Sequence, residues 1–375
     1  MFADGVRLGL FAGPGVPVPV PREVLDSLMS ASVTVSSNGP TAFELSFEIG
    51  QRSPLHTLFL LTSGALPPIF RVVLVAILDG TPETLVDGVI TKHDISPGEG
   101  GRSTLRITGE DLSRVMDYIP FDGLPYPAMP PEARVLICLA KYAVLGVIPK
   151  VIPSVLIDVP VPTSRIPIHH GTDLAYMRAL AEDVGYTFYM EPGPAPGTSF
   201  GYWGPLLKVG VPQPALNVDM DAHTNVETLS FTVDTEAKAT QLVWIHEPIT
   251  KVILPIPVPS LNPLAPPLGL IPLLSKRFEN VPGTGGLSTP QAIMRAFARD
   301  AAQSGGITAN GSLDIVRYGR LLRARALVGV RGAGPSFDGL YYVESVTHSI
   351  KRGEYKQSFR LNRGEVLSIT PRVPV

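Results

Sequence analysis

His169-His170 followed by Asp173 is the most metal-like cluster in the sequence. Imidazole and carboxylate suit a zinc-class ion, but adjacent side chains in an extended segment point to opposite faces and do not easily share one. No third or fourth ligand stands at a recognised spacing, so the segment reads as a strand leading into a helix cap at Thr172 or Asp173. Cys138 is the only cysteine. It excludes an internal disulfide and any multi-cysteine zinc or iron–sulfur site, and is compatible with a reducing compartment. His93 and His348 stand at matching places in two similar segments. Neither has a carboxylate–nucleophile pattern beside it, so both read as structural. Asp219, Asp221, Glu227 and Asp234 lack the tight register of a calcium loop, and no carboxylate pair is singled out for glycoside hydrolysis. There is no G-x-S-x-G elbow, H-E-x-x-H pair or P-loop, and the glycines of Gly98–Gly101 lie between strands, as a hairpin turn requires. Tyr202, Trp203 and Trp244 read as core or interface anchors. The expectation is a protein without catalytic residues, cofactor or metal, and not an enzyme.

The elements that carry these residues are mostly strands, punctuated by 39 prolines and 36 glycines. Thr34–Ser37, the turn Asn38-Gly39-Pro40 and Phe43–Ile49 read as strand, turn and strand, with Phe43, Leu45, Phe47 and Ile49 alternating with polar neighbours. Arg71–Leu78 is a near-continuous apolar run, the pattern of a strand buried on both faces. Leu85–Ile95 and Ser103–Thr108 complete a meander. Three helices interrupt the strands. Pro131 opens the first, with Val135, Leu136, Leu139, Ala140 and Ala143 as its stripe. The second spans Thr172 to Val184, with Leu174, Met177, Leu180, Ala181 and Val184 inward and Gly185 as its stop. Tyr186–Met190 comes next as a strand. The third helix starts at Ser288-Thr289-Pro290, with Ile293, Met294, Phe297 and Ala301 inward. Ala326–Val330, Tyr341–Ile350 and Lys356–Asn362 return to strands, and Arg325–Glu365 repeats the pattern of Arg71–Asp111.

A chain of 375 residues exceeds one ordinary domain of ~100–200 residues. Its 45% hydrophobic content builds sizeable cores, whereas 17% charged residues is below the ~25% usual for soluble domains. The surface is therefore sparsely charged or covered by partners. A net charge of −2 gives no basic footprint for nucleic acid. The start of the chain has no signal-peptide pattern. Between Lys251 and Lys276 lies an uncharged, mostly apolar stretch, but its prolines, each costing ~3 kcal/mol inside a helix, exclude a spanning helix. It reads as an extended, polyproline-like arm that needs a partner to cover it.

Two segments carry a family pattern. One runs through Gly171-Thr172-Asp173, Tyr176-Met177, Leu180-Ala181-Glu182 and Gly185 into the aromatic strand Tyr186–Tyr189. The other joins Gly319-Arg320-Leu321-Leu322, Leu327–Gly332, Phe337–Val343 and Val346-Thr347-His348. Together they resemble the phage late control gene D family and the hub part of VgrG-type spike proteins, over roughly residues 32 to 363. The arm departs from the family pattern. The resemblance implies a mainly β fold with an α+β insertion: two tail-tube-like antiparallel β-barrels plus a small α/β domain. The expected domains are residues 1–118, a first barrel completed by strands within 225–245; 119–215, the α/β domain; and 216–375, a second barrel carrying the arm, 248–287.

The resemblance also implies a structural role: a homotrimeric central baseplate hub that adapts a six-fold tail tube to a three-fold spike, in a phage tail or contractile injection system. Implied partners are further copies of the chain, the tail tube protein, baseplate wedge proteins and a separate spike protein, since no spike domain follows Arg363. Neither specific nucleic-acid binding nor stable membrane insertion is expected. Assembly would occur in the bacterial cytoplasm. The alternatives are a tail-associated cell-wall hydrolase, which a zymogram on peptidoglycan distinguishes, and a free-standing β-rich binding module, which native mass distinguishes.

Overall fold

The computed structural model describes residues 5–50, 53, 55, 69–98, 102–154, 162–163, 166–246, 253–258, 266–272, 277–284, 289–303 and 305–369. The chain begins with β1 (Val6–Pro14), β2 (Val18–Pro19), α1 (Arg22–Asp26), β3 (Leu28–Ser36), β4 (Ala42–Ile49), β5 (Phe70–Leu78), β6 (Thr81–Pro97) and β7 (Ser103–Asp111). Next come α2 (Pro131–Ala140), β8 (Val147–Val151), α3 (Asp173–Val184), β9 (Thr187–Pro192) and β10 (Ser199–Gly204). After these stand β11 (Gln213–Asn217), β12 (Thr228–Val233), β13 (Ala239–His246), β14 (Ile253–Val258), β15 (Gly269–Pro272), β16 (Arg277–Asn280) and α4 (Thr289–Ala302). The chain continues through β17 (Ile307–Asp314), α5 (Ile315–Tyr318), β18 (Leu327–Arg331), β19 (Gly339–Lys351), β20 (Glu354–Arg363) and β21 (Glu365–Ser368). The fold is mainly β with an α+β insertion, as the sequence implies.

Most strands join one 13-stranded sheet. Its first group is ordered β2-β1-β5-β6-β7-β4-β3 and its second β11-β18-β19-β20-β17-β12. The last five strands of each order have the same plan: a meander of three, then a partner pair on its far edge. The groups join edge to edge where Ser30–Ser36 of β3 runs antiparallel to Ser345–Lys351 of β19. Apolar residues of one parity point to a shared core: Phe43, Leu45, Phe47 and Ile49 of β4 are all buried, and so are Val343, Val346 and Ile350 of β19. Strand β5 is buried on both faces along most of its length, as its unbroken apolar run requires.

A β-bulge marks the same place in each group. Thr91 is the extra residue of β6 opposite β7, and Glu344 is the extra residue of β19 opposite β20. Aligning the bulges places Val346 opposite the His93 position, a two-residue shift from the sequence reading. A shift of two keeps every side chain on its face, so the pattern alone does not detect it. The matched pairing of His93 with His348 is therefore corrected: His93 is exposed on its strand, whereas His348 is buried. Nor do the strands within 225–245 complete the first group. Strand β12 pairs with β17, and β13 pairs with β14 and β16.

The α+β insertion is a small sheet, β8-β10-β9, with β8 parallel and β9 antiparallel to β10. Helix α3 has the expected caps: Thr172 Oγ1 accepts from the Ala175 amide at 3.2 Å, and Gly185 ends the helix at φ +77°. Its buried face contains Leu174, Met177, Leu180, Ala181 and Val184 as expected, plus Tyr176. Helix α2 differs in part. Val135 and Leu139 are buried, but Leu136 is 43% exposed. In α4 the buried stripe is Ala292, Ala296 and Asp300, with Ile293 and Phe297 beside it, one position round from the expected face.

Parts of the proline-rich stretch are strands. Strand β14 lies at the edge of the sheet β14-β13-β16, where prolines are tolerated, and β15 pairs with β21. Leu254, Ile256, Leu270 and Ile271 of these strands are exposed. Residues 248–252, 259–265, 273–276 and 285–287 of the arm, and Ser288 of the third expected helix, lie outside the described residues. No helix among the described residues is long and apolar enough to cross a membrane.

Candidate functional site

The outer parity of the large sheet forms a continuous polar face across both groups. One ladder row reads Asp314, Lys356, Ser349, Ser32, Glu44, Thr108 and Lys92, across seven strands. The next reads Thr228, Ser312, Ser358, Thr347 and Thr34. Neighbouring hydroxyls are bonded across strands, Thr34 to Thr347 at 3.0 Å and Thr228 to Ser312 at 2.8 Å. Many of the charges on and beside this face are paired with opposite charges: Arg102 with Glu48 at 2.6 Å, Lys92 with Asp94 at 2.7 Å, Lys356 with Glu227 at 2.9 Å, Arg360 with Glu344 at 3.2 Å, and Arg106 with Glu44 at 3.3 Å. Exposed pairs of this kind add ~0–1 kcal/mol each, so their main effect is to neutralise the surface. Such a face has neither an apolar centre for a protein interface nor a basic stripe for nucleic acid.

The insertion is held against the sheet by buried charge. Arg71 of β5 makes two bonds of 2.6 Å to the Asp87 carboxylate, and donates to the Gly197 carbonyl at 3.0 Å in the insertion. Ser199 of β10 donates to the same carboxylate at 3.2 Å. Burial pushes the Asp87 carboxyl up, and the Arg71 guanidinium works against that rise. Arg325, at φ +62°, donates to the Ser36 carbonyl at 2.6 Å and lies 3.9 Å from the Tyr189 ring centroid. It thereby links both strand groups to the insertion.

The residues singled out by type fall in four places. His169 and Asp173 are buried while His170 is exposed, as the opposite-face argument requires. Cys138 of α2 lies beside His169 and Asp173, and these three are the one metal-capable group of three or more among the described residues. Burial pushes the Cys138 thiol up to about 12, pushes His169 below its ordinary value, and raises Tyr126. Asp219, Asp221, Glu227 and Asp234 do not converge: the first two occupy a turn at positive φ, Glu227 pairs with Lys356, and Asp234 accepts from the Glu236 amide. Trp203 is fully buried, donating to the Met177 carbonyl at 3.2 Å. Tyr202 is buried and stacks on Tyr189, whereas Trp244 is partly exposed and donates to Asn280. Sequence reasoning does not find Arg71, Asp87 and Arg325. An arginine heading an otherwise apolar strand is the available signal for the first.

No protein-family model matches the sequence, and no curated protein matches it. Solved structures do match the fold along nearly the whole chain. A tail protein from Neisseria meningitidis MC58 superposes with a TM-score of 0.62 at 14% identity, over 96% of this chain and 97% of that one. The 43 kDa tail protein of prophage MuSo2 from Shewanella oneidensis gives 0.63 at 12% identity, over 96% and 98%. The E. coli c3393 protein, described as a component of the type VI secretion system with structural similarity to the T4 bacteriophage tail proteins gp27 and gp5, gives 0.54 at 12% identity, over 93% and 78%. This chain has the fold of those tail proteins.

Proposed function

We propose that the protein is the structural hub of a contractile tail or injection-system baseplate, a homotrimer that adapts a six-fold tube to a three-fold spike. The observation that carries this reading is the duplicated strand order with matched bulges, joined edge to edge through β3 and β19. Three copies of a chain with two equivalent strand groups present six similar units in a ring, and pairing at the junction covers strand edges. The polar face lies on one side of both groups. In the ring it is the lumen wall: neutral, hydroxyl-rich and without an adhesive centre. The same ring meets a tail tube protein on one side, and a separate spike protein and wedge proteins elsewhere. Exposed apolar side chains on β14 and β15 support docking of the arm on a neighbouring subunit or wedge protein. The role is structural rather than enzymatic, with assembly in the bacterial cytoplasm.

The test is stoichiometry. Purified particles, or the chain co-purified with its tube and spike proteins, are weighed by native mass spectrometry and imaged. Three copies per complex, with the two strand groups alternating round a channel, are expected. A different copy number, or the polar face turned outward, overturns the reading.

A further inference from the structure

We propose that Cys138, His169 and Asp173 bind a zinc-class divalent cation that fastens the helices of the insertion together. The sequence offered only the histidine and the aspartate. The fold supplies the third ligand by packing the end of α2 against the start of α3. The ligand atoms of the three residues lie within 4.8 Å of one another, and all three residues are fully buried.

The second observation is an orphaned atom. His169 Nε2 has no hydrogen-bond partner, although its residue is fully buried and Asp173 Oδ1 is 3.6 Å away. That gap is too long for a hydrogen bond. The other ring nitrogen, Nδ1, lies 3.1 Å from the Tyr126 hydroxyl, which itself lies 3.8 Å from Cys138 Sγ. If Nδ1–H donates to Tyr126, Nε2 keeps its lone pair beside the Asp173 carboxylate, and Cys138 Sγ becomes the third donor once its proton leaves. An electron-rich nitrogen, oxygen and sulfur around one point is a cation's arrangement. Tyr126 then acts as the outer partner that fixes the imidazole tautomer. Mixed N, S and O donors select zinc, or cobalt as its substitute, over magnesium or calcium.

Asp173 already has company. Lys141 Nζ lies 2.8 Å from Oδ1 and 3.1 Å from Oδ2, and the Tyr142 hydroxyl donates to Oδ2 at 2.8 Å. The incoming ion competes with Lys141 for Oδ1. Lys141 is the partly exposed member of the cluster, and its ammonium also sits 3.8 Å from the Phe121 ring centroid. Binding of the ion releases the Cys138 proton to solvent and leaves a metal–thiolate bond, with no redox change.

The full-length chain is stripped with chelator and titrated with Zn²⁺ and, separately, Co²⁺. One equivalent per chain is expected, with a thiolate-to-cobalt charge-transfer band in the near ultraviolet and a raised melting temperature. Cys138→Ala abolishes the band, and His169→Asn weakens binding at least ~10-fold. His170→Ala, which removes an exposed neighbour, leaves both unchanged. Lys141→Met tightens binding by removing the competing ammonium. Absence of the cobalt band in the unsubstituted protein overturns the proposal, whatever the variants do. So does binding that survives Cys138→Ala.

Discussion

His348 shows how one residue couples this fold to pH. It sits in the core parity of β19, with Nδ1 2.8 Å from the Tyr355 hydroxyl and Gln357 beside it at 3.4 Å. Burial lowers its pKa to about 4 from an ordinary 6.5. The unfolded chain therefore binds the proton first, and stability supplied above pH 6.5 is lost as pH falls toward 4. The loss from this residue is about 3 kcal/mol across that window. Urea melts of the protein and of His348→Gln at pH 7 and pH 4 check this: the variant is expected to lose distinctly less stability between the two. Equal losses would remove His348 as a source of the acid sensitivity. Arg71 is the other residue on which much depends. Arg71→Ala leaves the Asp87 carboxylate buried without its cation, which is expected to cost about 3–5 kcal/mol by denaturant titration. Arg71→Ala with Asp87→Ala should recover part of that loss, because the uncompensated charge is gone.

At the scale of the elements, the ladders are held in register by close contacts at glycine. Gly109 of β7 faces Phe43 of β4, and a Cβ added to it would meet the Phe43 ring and the Val89 carbonyl, each at 2.3 Å. The second group has a comparable pair, Gly311 opposite Phe359. In both, an aromatic ring covers a backbone that has no side chain of its own. Gly109→Ala is expected to destabilise the protein by about 1–3 kcal/mol, measured by thermal or urea melts, since the carbonyl cannot move without disturbing the ladder. Much of this architecture is legible in the sequence. Strands such as β4 and β20 announce themselves by strict alternation, and α3 by its caps and stripe. Strand β1 is not legible, because its glycines and flanking prolines mask the pattern, yet β5 supplies a full antiparallel partner for it. The two-residue shift of the repeat is invisible because a slip of two leaves every side chain on its face. The meeting of Cys138 with His169 is invisible too, since it depends on how α2 and α3 pack rather than on any local spacing.

At the scale of the whole molecule, the polar face and the buried core make opposite demands on the same strands. Alternate residues of β3, β19 and β20 secure the core, and their neighbours are left to the surface. Substituting a surface member should therefore leave the fold alone. Ser358 is exposed in the row that contains Thr347 and Thr34, near the junction of the two groups. Ser358→Trp is expected to change unfolding free energy by no more than about 0.5 kcal/mol. In a trimeric hub it would place three indoles on the lumen wall, on a surface otherwise occupied by hydroxyls and neutralised charge. Each indole adds an aromatic face able to stack on or bury passing apolar groups. The expected result is particles that assemble with normal hub content but deliver their contents less efficiently. Trp at the exposed Val211, off the large polar ladder, is the control that should leave delivery intact. If Ser358→Trp particles deliver normally, the polar face does not line the path. If they fail to assemble, it is an interface between subunits instead.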